Sequence, residues 1–152
     1  MLEFTGKRQK FMSTRSRIGI QLPDESILSV YHHWDGYPEW LGRILKTHYN
    51  TKEKIENLIN GGDMSSCWTN EGFYTHEGRS KKDNYGPLYY IEREKTRTFP
   101  ARHDKNIYEY LADNEEYAYI YTLKGDWICY NCNGFGGKYP QIVEIPSAPL
   151  FV

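Results

Sequence analysis

Ten consecutive residues, Tyr31 to Trp40 (YHHWDGYPEW), hold two histidines, two tryptophans, two tyrosines, an aspartate, a glutamate, a glycine and a proline. Three chemistries suit them. His33, two residues from Asp35, can serve as a general base, the arrangement of a small phosphodiesterase-like or other hydrolytic enzyme. The same imidazole and carboxylate can ligate a metal, with Cys129-x-x-Cys132 as a second half. Structural zinc wants four ligands, usually as two such pairs, and only Cys67 is left over. In the third chemistry, Trp34, Tyr37 and Trp40 offer planes for stacking, worth about 1–3 kcal/mol per base. Arg15 and Arg17 upstream supply forked donors for a phosphate.

The motif inventory favours the third. There is no G-x-S-x-G elbow, no repeated H-x-T or H-x-S, and no Walker loop, since Gly134-Phe135-Gly136-Gly137 lacks the lysine and the following helix. Binding without catalysis is therefore the expectation, with no catalytic residue, no metal and no cofactor.

Local patterns say what must position these side chains. From Arg15 to Leu22 the chain alternates, with Ile18, Ile20 and Leu22 on one face and Arg15, Arg17, Gly19 and Gln21 on the other. Pro23-Asp24-Glu25 is a turn signal. A second strand, Ser26 to Trp34, puts Leu28, Val30, His32 and Trp34 on one face and Ser29, Tyr31, His33 and Asp35 on the other. Paired as a hairpin, the strands bury Ile18, Ile20, Leu28, Val30 and Trp34. Arg15, Arg17, Tyr31, His33 and Asp35 are left facing solvent, a ligand or a partner.

Pro38 suits the first position of a helix running to about His48, and free N–H groups at such a start attract anions. Leu41, Ile44, Leu45 and His48 form its stripe. Asn50, with Glu53 three residues on, reads as the cap of a second helix that buries Ile55, Leu58 and Ile59 and stops at Gly61-Gly62.

Residues 63–86 have no defensible period and read as a flap or an insertion with short strands. Pro87 to Glu92 reads as a strand and is followed by Arg93, Lys95 and Arg97. Asp104 can cap a short helix through Ala112 that buries Ile107 and Leu111. Tyr117–Leu123 and Trp127–Tyr130 form a hairpin across Lys124-Gly125-Asp126, and Gln141–Ile145 an edge strand. The expected fold is α+β: one domain over residues 13–152, mostly antiparallel sheet with two consecutive helices on one face and a further short helix. Residues 1–12 are expected to be a flexible arm.

Composition sets bounds. A length of 152 residues suits one domain. A net charge of −1 gives no global field toward nucleic acid or membrane. Three cysteines, an odd number, argue for a reducing compartment. No apolar run approaches the roughly 18 residues of a membrane span, and the N-terminus has no signal-peptide core, so a cytoplasmic protein is expected. Aromatic residues make up 16%, with 14 tyrosines, a bias typical of interfaces and ligand pockets. If Ala118 and Ile120 face the core, Tyr117, Tyr119 and Tyr121 form an exposed patch, and a homo-oligomer follows. If the rings face the core instead, the chain is a monomer.

MSTRSRI (12–18), YHHWDGYPEWLG (31–42), HYN (48–50), KIENLIN (54–60) and GDMSS (62–66) resemble the motifs of a family of small proteins common in bacteriophages and related mobile elements. That family opens M-S-T-R-S-x-I, continues Y-C-H-W-D-G-Y, and later shows Y-x-Y-x-Y and G-x-W, matched here at 117–121 and 125–127. The resemblance covers most of residues 12–130. It departs at His32, where the family has cysteine, and around Tyr90–Arg97, which follows F-Y-G-R-D-R-G-E only loosely. It implies a phage origin and no established activity.

Joined to the binding chemistry, that origin gives the expected function. The protein is expected to be an anti-defence protein that binds and sequesters a nucleotide-derived host immune signal, a cyclic dinucleotide or an ADP-ribose derivative. Its expected ligand residues are Arg15, Arg17, Tyr31, His33, Asp35, Gly36, Tyr37, Trp40 and Arg93. Two alternatives stand beside it: a phage inhibitor that docks on a host protein through a Tyr-rich sheet face, and a hydrolase using His33 and Asp35.

Overall fold

The computed structural model describes residues 13–68, 86–92, 99–132 and 140–147. The expected arm, residues 1–12, and most of the expected flap lie outside these. The alternating stretches become β1 (Ser16–Gln21) and β2 (Ile27–His32), antiparallel, with Ile18 opposite Val30 and Arg17 opposite Tyr31. Six further strands complete the sheet: β3 (Met64–Trp68), β4 (Gly86–Tyr89), β5 (Arg102–Asp104), β6 (Tyr117–Tyr121), β7 (Trp127–Asn131) and β8 (Gln141–Val143). Their order is β4-β3-β2-β1-β6-β7-β8, with β5 also pairing β2. Two pairings are parallel, β1 with β6 and β2 with β3, and the others are antiparallel. The fold is α+β, as the patterns require.

Between β2 and β3 a π-helical turn, Pro38–Gly42, runs on into α1 (Arg43–His48). Helix α2 (Lys52–Asn60) follows. Its cap is Thr51, whose hydroxyl accepts from the Lys54 N–H at 3.2 Å, one residue later than the expected Asn50. Both residue types cap well; Thr51 holds the extended backbone that a cap needs. The helix ends where expected, with Gly62 at a φ of 87°. These helices cover one face of the sheet: Leu41, Ile44, Leu45, Ile55, Leu58 and Ile59 close over Ile18, Ile20, Val30, Met64, Tyr119 and Cys129. Each such fully buried aliphatic side chain contributes about 1.5–3 kcal/mol.

The opposite face carries a smaller cluster. Helix α3 (Ile107–Ala112) lays Tyr110 across it, against Ile27, Ala118 and Ile120. Tyr110 is fully buried and donates its hydroxyl hydrogen to the Tyr119 carbonyl at 2.9 Å. The α3 cap is Asn106, accepting from the Glu109 N–H at 2.9 Å, because the expected cap, Asp104, lies in β5. Ile107 and Leu111 pack against this cluster but are only partly buried.

Three further expectations change. Tyr119 is fully buried, and Tyr117 and Tyr121 pack against the helix-side core, so the tyrosine row is a core face and not an exposed patch. The expected strand from Pro87 ends at Tyr89, and Tyr90–Glu92 form a 3-10 turn. Trp34 leaves the core face, since β2 ends at His32, and its ring meets that of His33 edge-on at 4.7 Å. Among the described residues, no helix is long and apolar enough to cross a membrane.

Candidate ligand site

Strand alternation brings Arg17, Tyr31 and, just past the end of β2, His33 to the α3 side of the sheet. Arg15, exposed just before β1, flanks them. Its N–H is held by Glu116 Oε1 at 3.1 Å, and its carbonyl accepts from Tyr117. Tyr31 is half-buried, its hydroxyl 2.7 Å from His33 Nδ1 and its ring 5.8 Å from the imidazole. Burial pushes the Tyr31 phenol up to about 12, with the nearby Arg15 charge pulling the other way. The phenol is thus neutral at any physiological pH.

Arg17 lies deeper and is only 8% exposed. Its Nε donates to Ser29 Oγ at 2.9 Å and its Nη2 to the Ser29 carbonyl at 3.1 Å. Both acceptors are neutral, and among the described residues Arg17 enters no ion pair. Burial pulls its pKa down, and so does the neighbouring Arg102; Tyr110, Asp63 and Asp104 oppose that. A buried guanidinium without a carboxylate on it is costly, since desolvation is not repaid by close pairing.

Chain topology explains the neighbours. The outer edge of β2 changes partner midway: β5 pairs Ile27 to Ser29, and β3 joins at His32. Arg102 therefore stands opposite Ser29. It pairs with Asp104 at 2.9 Å and Asp113 at 3.4 Å, and it lies over the Tyr110 ring at 5.9 Å. At the change of partner the Tyr31 N–H is taken by Asp63 Oδ1 at 2.8 Å. Burial raises the Asp63 pKa, against the Tyr31 N–H, Arg17 and Arg102, which lower it. Asp63, Arg102 and Tyr110 were not among the expected site residues. They come from distant segments, and only the sheet register makes them neighbours.

The rest of the junction turns away. Asp35 adopts a φ of 58°, which aspartate tolerates better than most residues. Gly36 then passes so close beneath β1 that a Cβ there would fall 2.4 Å from Ser16 Oγ. Its N–H donates to Thr14 O at 2.8 Å, and its carbonyl accepts the buried Tyr119 hydroxyl at 2.7 Å. Tyr37 is half-buried, and its phenol pKa is raised by burial and then by Asp35 and Glu39. Its carbonyl already accepts the N–H groups of Trp40 and Leu41. Trp40 packs against the helix-side core. The sheet thus divides the junction: Arg15, Arg17, Tyr31 and His33 gather on one side, Gly36 and Trp40 on the other. Arg93 lies outside the described residues.

Cys129 and Cys132 are also divided. Three residues apart on extended chain, they take opposite faces, Cys129 in the helix-side core and Cys132 beside the α3 cluster. Among the described residues, no group of three or more His, Cys, Asp or Glu is gathered as metal ligands would be. Comparison with protein-family models, curated proteins and solved structures returned no match.

Proposed function

We propose that this protein captures a nucleotide-derived ligand on the α3 side of its sheet without transforming it, and that it serves a phage by withdrawing a host immune signal. The observation that carries the reading is Arg17. A nearly buried guanidinium has five N–H donors, of which two rest on the neutral acceptors of Ser29. Its position invites an anion, and the rings of Tyr31 and His33 beside it supply the planes for a base. Arg15 stands at the rim, within electrostatic reach of Tyr31.

The ligand class follows from the pairing of cation with aromatic plane. The phage setting rests on the resemblance of the motifs at 12–18, 31–42, 48–50, 54–60 and 62–66 to those of mobile-element proteins. Docking on a host protein through a tyrosine face has less support, because Tyr117, Tyr119 and Tyr121 lie against the core.

Isothermal titration against cyclic dinucleotides, cyclic mononucleotides and ADP-ribose derivatives tests the proposal. Saturable heat with one class, and the same molecule co-purifying in native mass spectrometry from infected cells, is the expected result. No heat with any nucleotide overturns it.

A further inference from the structure

Building on that reading, we infer that the Arg17 subsite accepts a single phosphodiester group, which favours a cyclic nucleotide over a ligand ending in a phosphomonoester or carrying adjacent phosphates. Two features of the site lead there.

The first is the donor set. Ser29 holds the Nε and one Nη2 hydrogen of Arg17. Among the described residues, the sealed polar atoms without partners are His32 Nε2 and Arg43 Nε, and no Arg17 nitrogen is among them. Nη1, which has no hydrogen-bond partner among the described residues, is therefore not sealed, and this end of the guanidinium keeps an opening to solvent, consistent with the 8% of Arg17 that stays exposed. A guanidinium fixed at Nε presents its remaining donors as a fork, the geometry that fits two oxygens of one phosphate.

The second is the charge balance. Arg102 is already matched by Asp104 at 2.9 Å and by the exposed Asp113 at 3.4 Å, with its third nitrogen on the Tyr110 carbonyl. Asp63 is pinned by the Tyr31 N–H, and both it and Asp104 act on Arg17 through space. At the rim, Arg15 and Glu115 act on Tyr31 with opposite sign. The surroundings are thus close to neutral, with carboxylates near at hand. One negative charge on the Arg17 fork is met directly, whereas a second faces Asp63 and Asp104, and the cation left near it among the described residues, Arg15, stands out at the rim. A bridging diester carries one charge; a terminal phosphate carries nearly two, and a diphosphate sets two side by side.

The test uses the full chain and matched ligands in calorimetry: cyclic di-AMP and cyclic di-GMP against their linear 5′-phosphorylated forms, which keep both bases and both phosphates but turn one bridging diester into a terminal monoester. The cyclic form should bind at least about tenfold tighter, since one extra unit charge is repelled at short range near a surface. Asp63→Asn keeps an oxygen for the Tyr31 N–H and should narrow that gap. Arg17→Gln, checked for folding by circular dichroism, should lose most of the cyclic ligand's affinity. Should it unfold, Arg17→Lys replaces it and should lose affinity too, because a point charge does not reproduce the fork. Linear forms binding as tightly as cyclic ones overturn the diester assignment and leave nucleotide capture standing. A folded Arg17 variant with parental affinity also overturns the assignment. No binding of any nucleotide overturns both.

Discussion

His32 should make this protein acid-sensitive, and one substitution should remove the sensitivity. The imidazole is fully buried beneath the helices; Nδ1 lies 3.3 Å from Ser16 Oγ, and Nε2 has no partner among the described residues. Burial first, and the neighbouring His33 second, push its pKa down to about 3. In the unfolded chain it returns to about 6.5. The unfolded state therefore binds the proton between those values and the native state does not. Stability is complete above pH 6.5 and falls as the pH drops toward 3. At about pH 5 the gap is roughly 1.5 units, equivalent to about 2 kcal/mol, a large share of the 5–15 kcal/mol typical of a domain. Urea unfolding of the parent and of His32→Leu at about pH 7 and pH 5 checks the effect. Leucine removes an orphaned nitrogen but also the contact with Ser16, so at neutral pH the two proteins should agree within about 1 kcal/mol. In acid the variant should be the more stable by about 2 kcal/mol. Carboxylates such as Asp24, whose pKa is lowered by its hydrogen bonds from Ser26, also lose stability in acid, but equally in both proteins. Parallel losses in parent and variant would refute the reasoning, by showing that His32 is protonated in the fold as easily as outside it.

Three further outcomes follow from the same structure. Thr51→Ala should lower stability by about 1 kcal/mol in urea melts, because the Lys54 N–H loses its cap. Cys67 and Cys129 are buried with thiols pushed up to about 12, and the partly buried Cys132 to about 11. A disulfide-exchange reagent at neutral pH should therefore label Cys132 slowly and the other two only on unfolding. Arg15→Ala should weaken ligand capture while changing stability by no more than about 0.5 kcal/mol, since the side chain is exposed, and Arg15→Lys should restore capture only in part. Calorimetry and thermal melts separate these effects, and unfolding of Arg15→Ala would make Arg15 structural.

Periodic signals carried most of the fold. Ile18, Ile20 and Val30 mark one strand face, and Ile55, Leu58 and Ile59 mark one helix stripe, because burial selects apolar residues at the spacing of each element. Short and locally driven features did not read out. Strand β5 has three residues, Arg102–Asp104, none of them apolar, and exists because the β2 edge at Ile27–Ser29 needs a partner. Thr51 and Asn106 displaced Asn50 and Asp104 as caps by one and two residues. Several residues at a helix start are chemically able to cap, and backbone geometry chooses among them.

At the site, alternation told the truth about faces and nothing about neighbours. It put Arg17, Ser29, Tyr31 and His33 on one side, where they are found. It failed after His33, because β2 ends at His32: Trp34 leaves the core face, and the positive φ of Asp35 turns the chain so that Gly36 passes beneath β1. Asp63, Arg102 and Tyr110 were beyond reach, since cross-strand neighbours depend on register and register depends on the whole sheet. One local signal did bear on the fate of Arg17. On its own face the next residue is Gly19, in a strand whose other face is isoleucine. A Cβ at Gly19 would lie 3.2 Å from the Tyr110 hydroxyl and 3.0 Å from Ile27 Cγ2. A glycine within a strand often marks a close approach by another part of the chain. The face bearing Arg17 was therefore marked in the sequence as covered, and a covered arginine, more than an exposed one, needs an anion to complete it.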